Sequence, residues 1–365
     1  MSTLMKLQSL IMTMFIIVVT MFGFLSDVKA PTSVAKDEEN IKFNVALISD
    51  THVDARFTVS QTGLALGLTN INRHGTAVDA VIVAGDITNM NDKESVYRAF
   101  DLFRQYSDLP AQNVVLASGN HDVGHSSDAG LSHEEARQNF ISAMNEYNGG
   151  DADKIYFSAD IKGYHFIVLG DEAAQSTSKD GGVEYNTYLE YWATVNPAYA
   201  DKNYWNAFDT SWDHPWLSDE QLNWLDSELS EHSSSTQPVF VICHWPLEDV
   251  NGKPKVWKNG GIGERYNEPL HNILESYPNV VYISGHLHKG LNSEISAKIK
   301  GYSSVEIHEG VAYVNLPAYF LINRQGLAEC GQGLMMEVYE DKILFRGRNF
   351  ITNSWYPGFN YEVPI

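Results

Sequence analysis

This 365-residue sequence predicts an α/β fold, on three observations. Short runs rich in Val, Ile and Leu punctuate residues 43–285, helical patterns lie between several of them, and polar residues follow almost every run directly. The runs are FNVALIS (43–49), DAVIVAG (79–85), NVVLASG (113–119), YHFIVLG (164–170), PVFVICH (238–244) and NVVYISG (279–285). Continuous aliphatic runs of this length suit strands buried on both faces. Strands alternating with helices are the pattern of α/β architecture.

A segment of another kind precedes the first run. Lys6 stands before an uncharged apolar stretch from Leu10 to Leu25, and the small-residue stretch SDVKA follows, which is the layout of a secretory signal. The stretch is shorter than the roughly 20 residues that span a bilayer. A signal peptide is therefore expected over residues 1–30, with an uncleaved anchor as the alternative, and a polar linker over 31–40. The mature chain is expected to be exported, secreted or at the cell surface, with no stable membrane span once the signal is removed.

Two helices announce their starts. Asn91 with Glu94 reads as a capping box ahead of Val96, Phe100 and Phe103, and Ser218 with Gln221 reads the same way ahead of Leu222, Leu225 and Leu229. Past residue 300 the pattern turns to hairpins, SVEIHEGVAYVNL about Glu309 and Gly310 and LMMEVYEDKILFRGR near Glu340 and Asp341. No period of 20 to 50 residues recurs, which excludes a solenoid. One domain is drawn over 41–350, with an insertion at about 172–216 and a C-terminal extension over 351–365. Within the insertion, Tyr185 to Trp216 holds ten aromatics in 32 residues. That density reads as a lid that stacks on a base or sugar, or as loops packing a small core of their own.

Composition narrows the chemistry. With 46 acids against 25 Lys and Arg the net charge is -21, which repels polyanions, so no nucleic-acid polymer is expected as a partner. A small anion can still be held where bound metal supplies positive charge. The two cysteines, Cys243 and Cys330, form no CxxC pair, which excludes a thiolate zinc site. Both lie in apolar surroundings and are expected to be free buried thiols, a disulfide being the alternative.

The polar residues that end the strands carry the function. After 43–49 come Asp50, Thr51 and His52; the second run ends in Asp86; after the third come Asn120, His121 and Asp122; later runs end in His244 and in His286, Leu287 and His288. Ligands of α/β sheets collect beyond the carboxyl ends of the strands, so five strands deliver these groups to one edge. Asp50 and His52, like His286 and His288, are two apart, a spacing that points both side chains to one side of an extended chain. Imidazole and oxygen donors without thiolate suit zinc, manganese, iron or nickel. Seven donors are too many for one tetrahedral ion and a sensible count for two ions that share one of them.

Together the blocks DTH (50–52), GD (85–86), GNHD (119–122), CHWP (243–246) and GHLH (285–288), in this order, resemble the calcineurin-like metallophosphoesterases over about residues 43–320. The resemblance implies two packed mixed β-sheets flanked by helices, an α/β/β/α sandwich. It implies two divalent ions, manganese, iron or zinc: Asp50, His52 and His288 on one, Asn120, His244 and His286 on the other, and Asp86 between them. Where the purple acid phosphatase branch has a tyrosine ligand, three residues after the GD aspartate, this chain has Asn89. The pattern is closer to the cyclic-nucleotide phosphodiesterase branch. A phosphomonoester or phosphodiester, nucleotides among them, is the implied substrate, attacked by a hydroxide that the two ions share. His121 faces the leaving group as general acid, and Asp122 orients a neighbouring imidazole or caps the next helix.

Other residues could line the pocket: His125 and His133 after GNHD, and Lys253, Lys255 and Arg265 between the last two blocks. His214, His271 and His308 match no motif. A phospholipid or cell-wall-polymer phosphodiesterase on the same scaffold, and a surface-binding protein that kept the fold without catalysis, are the alternative readings.

Overall fold

A computed structural model of the chain describes residues 40–71, 78–123, 131, 133–172, 215–252, 261–291, 302–320 and 330–365. The stretch read as signal and the linker up to residue 39, and the aromatic stretch except Trp216, lie outside the described residues. Among the described residues no helix is long and apolar enough to cross a membrane.

All six runs are strands: β1 (Phe43–Ile48), β2 (Ala80–Ala84), β3 (Val114–Ala117), β5 (Tyr164–Val168), β6 (Val239–Ile242) and β7 (Val280–Ser284). They are joined by β4 (Phe157–Ile161), β8 (Val305–His308), β9 (Val311–Asn315), β10 (Gln332–Val338), β11 (Lys342–Asn349) and β12 (Ser354–Pro364). The helices are α1 (Thr58–Ile71), α2 (Lys93–Tyr106), α3 (Asn120–Val123), α4 (His133–Asn148), α5 (Asp219–His232) and α6 (Glu264–Leu274).

Two six-stranded mixed sheets result, ordered β12-β11-β10-β1-β2-β3 and β4-β5-β6-β7-β9-β8. The continuous apolar runs have a simple cause: alternate residues face two different cores. Phe43, Val45 and Leu47 of β1 pack against Phe166, Phe240 and Val281 of the other sheet, while Ala46 and Ile48 face the layer of α1, α2 and α4. In the second sheet Phe240 and Ile242 face inward, and Val239 and Val241 pack on α5 and α6. The expected α/β/β/α sandwich is the observed one.

Both hairpins turn where expected. Glu309 and Gly310 have φ of 47° and 87°, the doubly left-handed turn that matches strand twist, and Tyr339 N donates to Lys342 O across the other turn. Three details differ. The N-cap of α2 is Asp92, whose carboxylate accepts from Ser95 N, rather than Asn91, which is fully buried in the preceding loop. Ser218 does cap α5 through Gln221 N, but Ser218 N donates to Glu172 Oε2 (2.8 Å) rather than to Gln221, which turns inward to Gly170. Residues set apart as a C-terminal extension form β12, which pairs antiparallel with β11 and buries Phe359 and Val363.

A candidate dinuclear metal centre

The strands β1, β2 and β3 run parallel, as do β6 and β7 in the other sheet. Their carboxyl ends therefore open on one edge, and the structure brings all the predicted ligands there. Ligand atoms of Asp50, His52, Asp86 and His288 lie within 4.8 Å of one another, and so do those of Asp86, His244 and His286. Asp86 belongs to both groups.

The backbone that aims them is not extended. Asp50, His52, Asp86, His286 and His288 have φ of 55°, 44°, 48°, 70° and 53°, left-handed values that side-chain-bearing residues rarely adopt. The pairs two apart in sequence do converge, but through left-handed turns rather than through strand alternation. Such conformations cost on the order of 1–3 kcal/mol each and persist where surrounding structure enforces them. Here it does: Asp50 N, His52 N and Val53 N donate to the carbonyls of Gly85, Asp86 and Ile87, and Asn89 N returns a bond to Val53 O.

Each aspartate spends one oxygen on this scaffold and aims the other at the centre. Asp50 Oδ2 accepts from His286 N (3.2 Å) and Asp86 Oδ1 from His121 N (2.8 Å). Asp50 Oδ1, Asp86 Oδ2 and Asn120 Oδ1 are buried and accept no hydrogen bond, a costly state for buried oxygens. Around them donor atoms crowd without hydrogen-bond geometry: His288 Nε2 lies 2.8 Å from Asp50 Oδ1, and His244 Nε2 3.2 Å from Asp86 Oδ2. His52 Nε2 and His288 Nε2 are 3.4 Å apart, and His286 Nδ1 and His244 Nε2 3.2 Å, imidazole pairs that share a hydrogen bond where the donors converge. Two donors each about 2.1 Å from one ion stand about 3.0–3.4 Å from each other. The donor set and its spacing fit two metal ions sharing Asp86.

The charges agree. Burial alone opposes ionisation of Asp86, but His244, His121 and His52 outweigh it and hold its carboxyl well below the usual range. Asp50 is lowered in the same way, against burial, by His288 and His244. For His244 burial is overcome by Asp86 and Asp50, and the imidazole is raised to about 9, whereas burial and the nearby His121 push His52 down to about 3. His244 Nδ1 donates to Ala84 O (2.7 Å), which leaves Nε2 as the donor to metal.

His121 stands beside the centre, its ring edge-on to His52 at 4.8 Å. Its Nδ1 bonds Asn89 O (2.9 Å), so the residue found where a related branch has tyrosine holds His121 through its main chain. Asp122 neither orients an imidazole nor caps from in front. Its carboxylate reaches back to Gly119 N (2.8 Å) and accepts from Ile87 N (3.2 Å), Thr88 N (2.8 Å) and Thr88 Oγ1 (2.8 Å). It thereby ties the β3 loop to the β2 loop, and burial, with Asp86 adding, raises it to about 6. Gly119 serves close approach rather than turning, since a Cβ there would stand 2.3 Å from Asp86 Oδ1.

Sequence reasoning missed Thr88 and Asn315. The latter is fully buried on β9 and donates to Gly285 O (2.6 Å), bracing the turn into His286. Neither lies in a block, and only their position after a strand core hinted at a role. Of the possible pocket residues, His125, Lys253, Lys255 and His214 lie outside the described residues, as do the side chains of His133 and Arg265. His271 bonds Asp249 and Glu275, and His308 pairs with Glu306. Cys243 and Cys330 are buried and form no disulfide, as expected.

The profile of the calcineurin-like phosphoesterase family matches residues 43–290, well over half of the chain. Manganese-dependent ADP-ribose/CDP-alcohol diphosphatases are similar over shorter stretches. The human protein is 27% identical over 141 residues, 38% of this chain and 34% of that one; the Arabidopsis thaliana protein is 37% identical over 75 residues, 20% and 22% respectively. The matches thus span about a third or less of these curated relatives. A dimetal phosphatase from Danio rerio superposes with a TM-score of 0.58 at 17% identity, covering 89% of this chain and 99% of that one. A purple acid phosphatase from yellow lupin seeds gives 0.50 at 11% identity, covering 88% and 53%. Strand-end ligands, the shared aspartate and the profile match converge: this chain belongs to the calcineurin-like phosphoesterase family.

Proposed function

We propose that this chain is an exported hydrolase of small phosphodiesters and diphosphates of the nucleotide type, working with manganese. One observation carries the reading: Asp86 stands in both ligand groups with an oxygen that accepts no hydrogen bond. Two divalent ions held there would supply an activated water and neutralise phosphoryl charge. Asp50, His52 and His288 would hold one, Asn120, His244 and His286 the other, and Asp86 would be shared. His121, its Nδ1 committed to Asn89 O, delivers the proton at Nε2 to the leaving oxygen. Manganese and the diphosphate class are suggested by what the similar proteins are called, and export by the apolar run from Leu10 to Leu25.

The test is a substrate panel on the manganese-loaded chain: ADP-ribose, a CDP-alcohol, and mono- and bis-nitrophenyl phosphate. Turnover of the diphosphates at least about tenfold above the monoester, by kcat/KM, is expected. Cleavage of the nitrophenyl esters alone would reject the diphosphate reading and leave the phosphoesterase standing. Export is checked by N-terminal sequencing of the protein recovered outside the cytoplasm, where a start between residues 31 and 40 is expected.

A further inference from the structure

Away from the metal centre, a cavity of roughly 310 Å³ opens between α1 and α2, within the size range of small-molecule sites. One end is polar. Gln61, nearly buried, gives its amide nitrogen to Asp54 O (2.9 Å) and Ala55 O (3.1 Å), which forces its oxygen toward Arg98 Nε (2.7 Å). That bond occupies Nε, and Arg98 itself lines the cavity; among the described residues its two terminal nitrogens make no hydrogen bond. Among the described residues no carboxylate pairs with Arg98, and Asp101, one turn along α2, pairs with Arg104 instead. In a chain with a net charge of -21, a half-buried arginine without an acid partner is an unmet demand for a negative charge.

The rest of the lining is three threonines, Thr58, Thr62 and Thr69, and an apolar wall. Ala65, Leu66, Leu102 and Tyr106 form the walls, and the hydroxyls of Thr62 and Thr69 are spent on Thr58 O and Ala65 O, at 2.7 Å each. We propose that this cleft binds a small organic carboxylate, its two oxygens on the terminal nitrogens of Arg98 and its apolar body along Ala65, Leu66, Leu102 and Tyr106. A planar carboxylate matches the fork of two N–H groups, and one guanidinium balances one charge, which favours a monoanion over a doubly charged phosphate. The occupant would sit against Gln61, which holds the carbonyls of Asp54 and Ala55 shortly after His52.

The probe is 4-phenylbutyrate, titrated calorimetrically into the full metal-loaded chain, with its neutral amide as control. Saturable binding of one acid per chain is expected, at least about tenfold tighter than the amide. Arg98→Gln, which removes the charge, and Ala65→Phe, which fills the cleft and leaves Arg98 in place, should each weaken the acid at least about tenfold. Equal binding of acid and amide, unchanged binding by either variant, displacement by inorganic phosphate, or no saturation up to about 10 mM would each overturn the proposal.

Discussion

The two sheets serve the metal centre differently. The first contributes every oxygen donor and one imidazole, His52, each aspartate steadied by a main-chain amide, and its loops are laced together by the ladder from Asp50 to Asn89 and by Asp122. The second contributes imidazoles, and what fixes them lies partly across the sandwich: His244 leans on Ala84 of β2, and His286 N is held by Asp50. Within the second sheet Gly285 N donates to His244 O, Leu287 N to Gly285 O, Leu316 N to Ser284 O, and Asn315 Nδ2 to Gly285 O and Ser284 Oγ. The difference teaches that the centre is a product of sheet packing: neither sheet alone completes either ligand group.

Asp86→Ala breaks the comparison most severely, because it removes the group common to both ions. Metal content should fall from two ions per chain toward none, and turnover by about a thousandfold or more. His121→Ala separates chemistry from assembly. Both ions should remain by elemental analysis while kcat drops by about 10²–10⁴; a metal-free variant would remove His121 from the role of acid.

Much of this centre is legible in the sequence, and the illegible part has physical causes. Strands facing two apolar cores write themselves as unbroken runs, so β1 or β7 is plain to read, and the polar residue that ends each run is equally plain. The edge strands β4 and β12 leave no such mark. In β4 half-buried and exposed positions alternate, and β12 carries Pro357 and Gly358 within a half-exposed segment, so both escape. Ligand identity is readable because residue type carries it. The left-handed turns at Asp50, His52, Asp86, His286 and His288 are not, because nothing in an aspartate or histidine declares a positive φ. Asp122 shows how a role is misjudged: its spacing suggests a helix cap, and only the fold reveals that its partners are Ile87 and Thr88, in another loop.

The bracing of the two sheets is compared by a matched pair. Asp122→Asn replaces an acceptor of four bonds with a group whose amide meets donors, and should cost about 2–3 kcal/mol in urea denaturation and weaken metal binding about 10–100-fold. Asn315→Ala, in the second sheet, should cost about 1–2 kcal/mol with a smaller loss of metal affinity. Equal effects would erase the distinction between the sheets.

A smaller effect is protonic. In the metal-free chain His244 is raised from 6.5 to about 9, so its pairing with Asp86 stabilises the fold fully below pH 6.5 and is lost as pH rises through about 9. At neutral pH metal must displace that proton. Titrations with manganese in two buffers of different ionisation enthalpy should therefore show about one proton released per chain, and the release should vanish near pH 10.

The most direct measurement is anomalous diffraction from a crystal of the chain loaded with manganese. Two peaks are predicted, one among Asp50, His52 and His288, the other among Asn120, His244 and His286, with the Asp86 carboxylate between them. A single peak, or two peaks that do not share Asp86, would contradict the dinuclear centre.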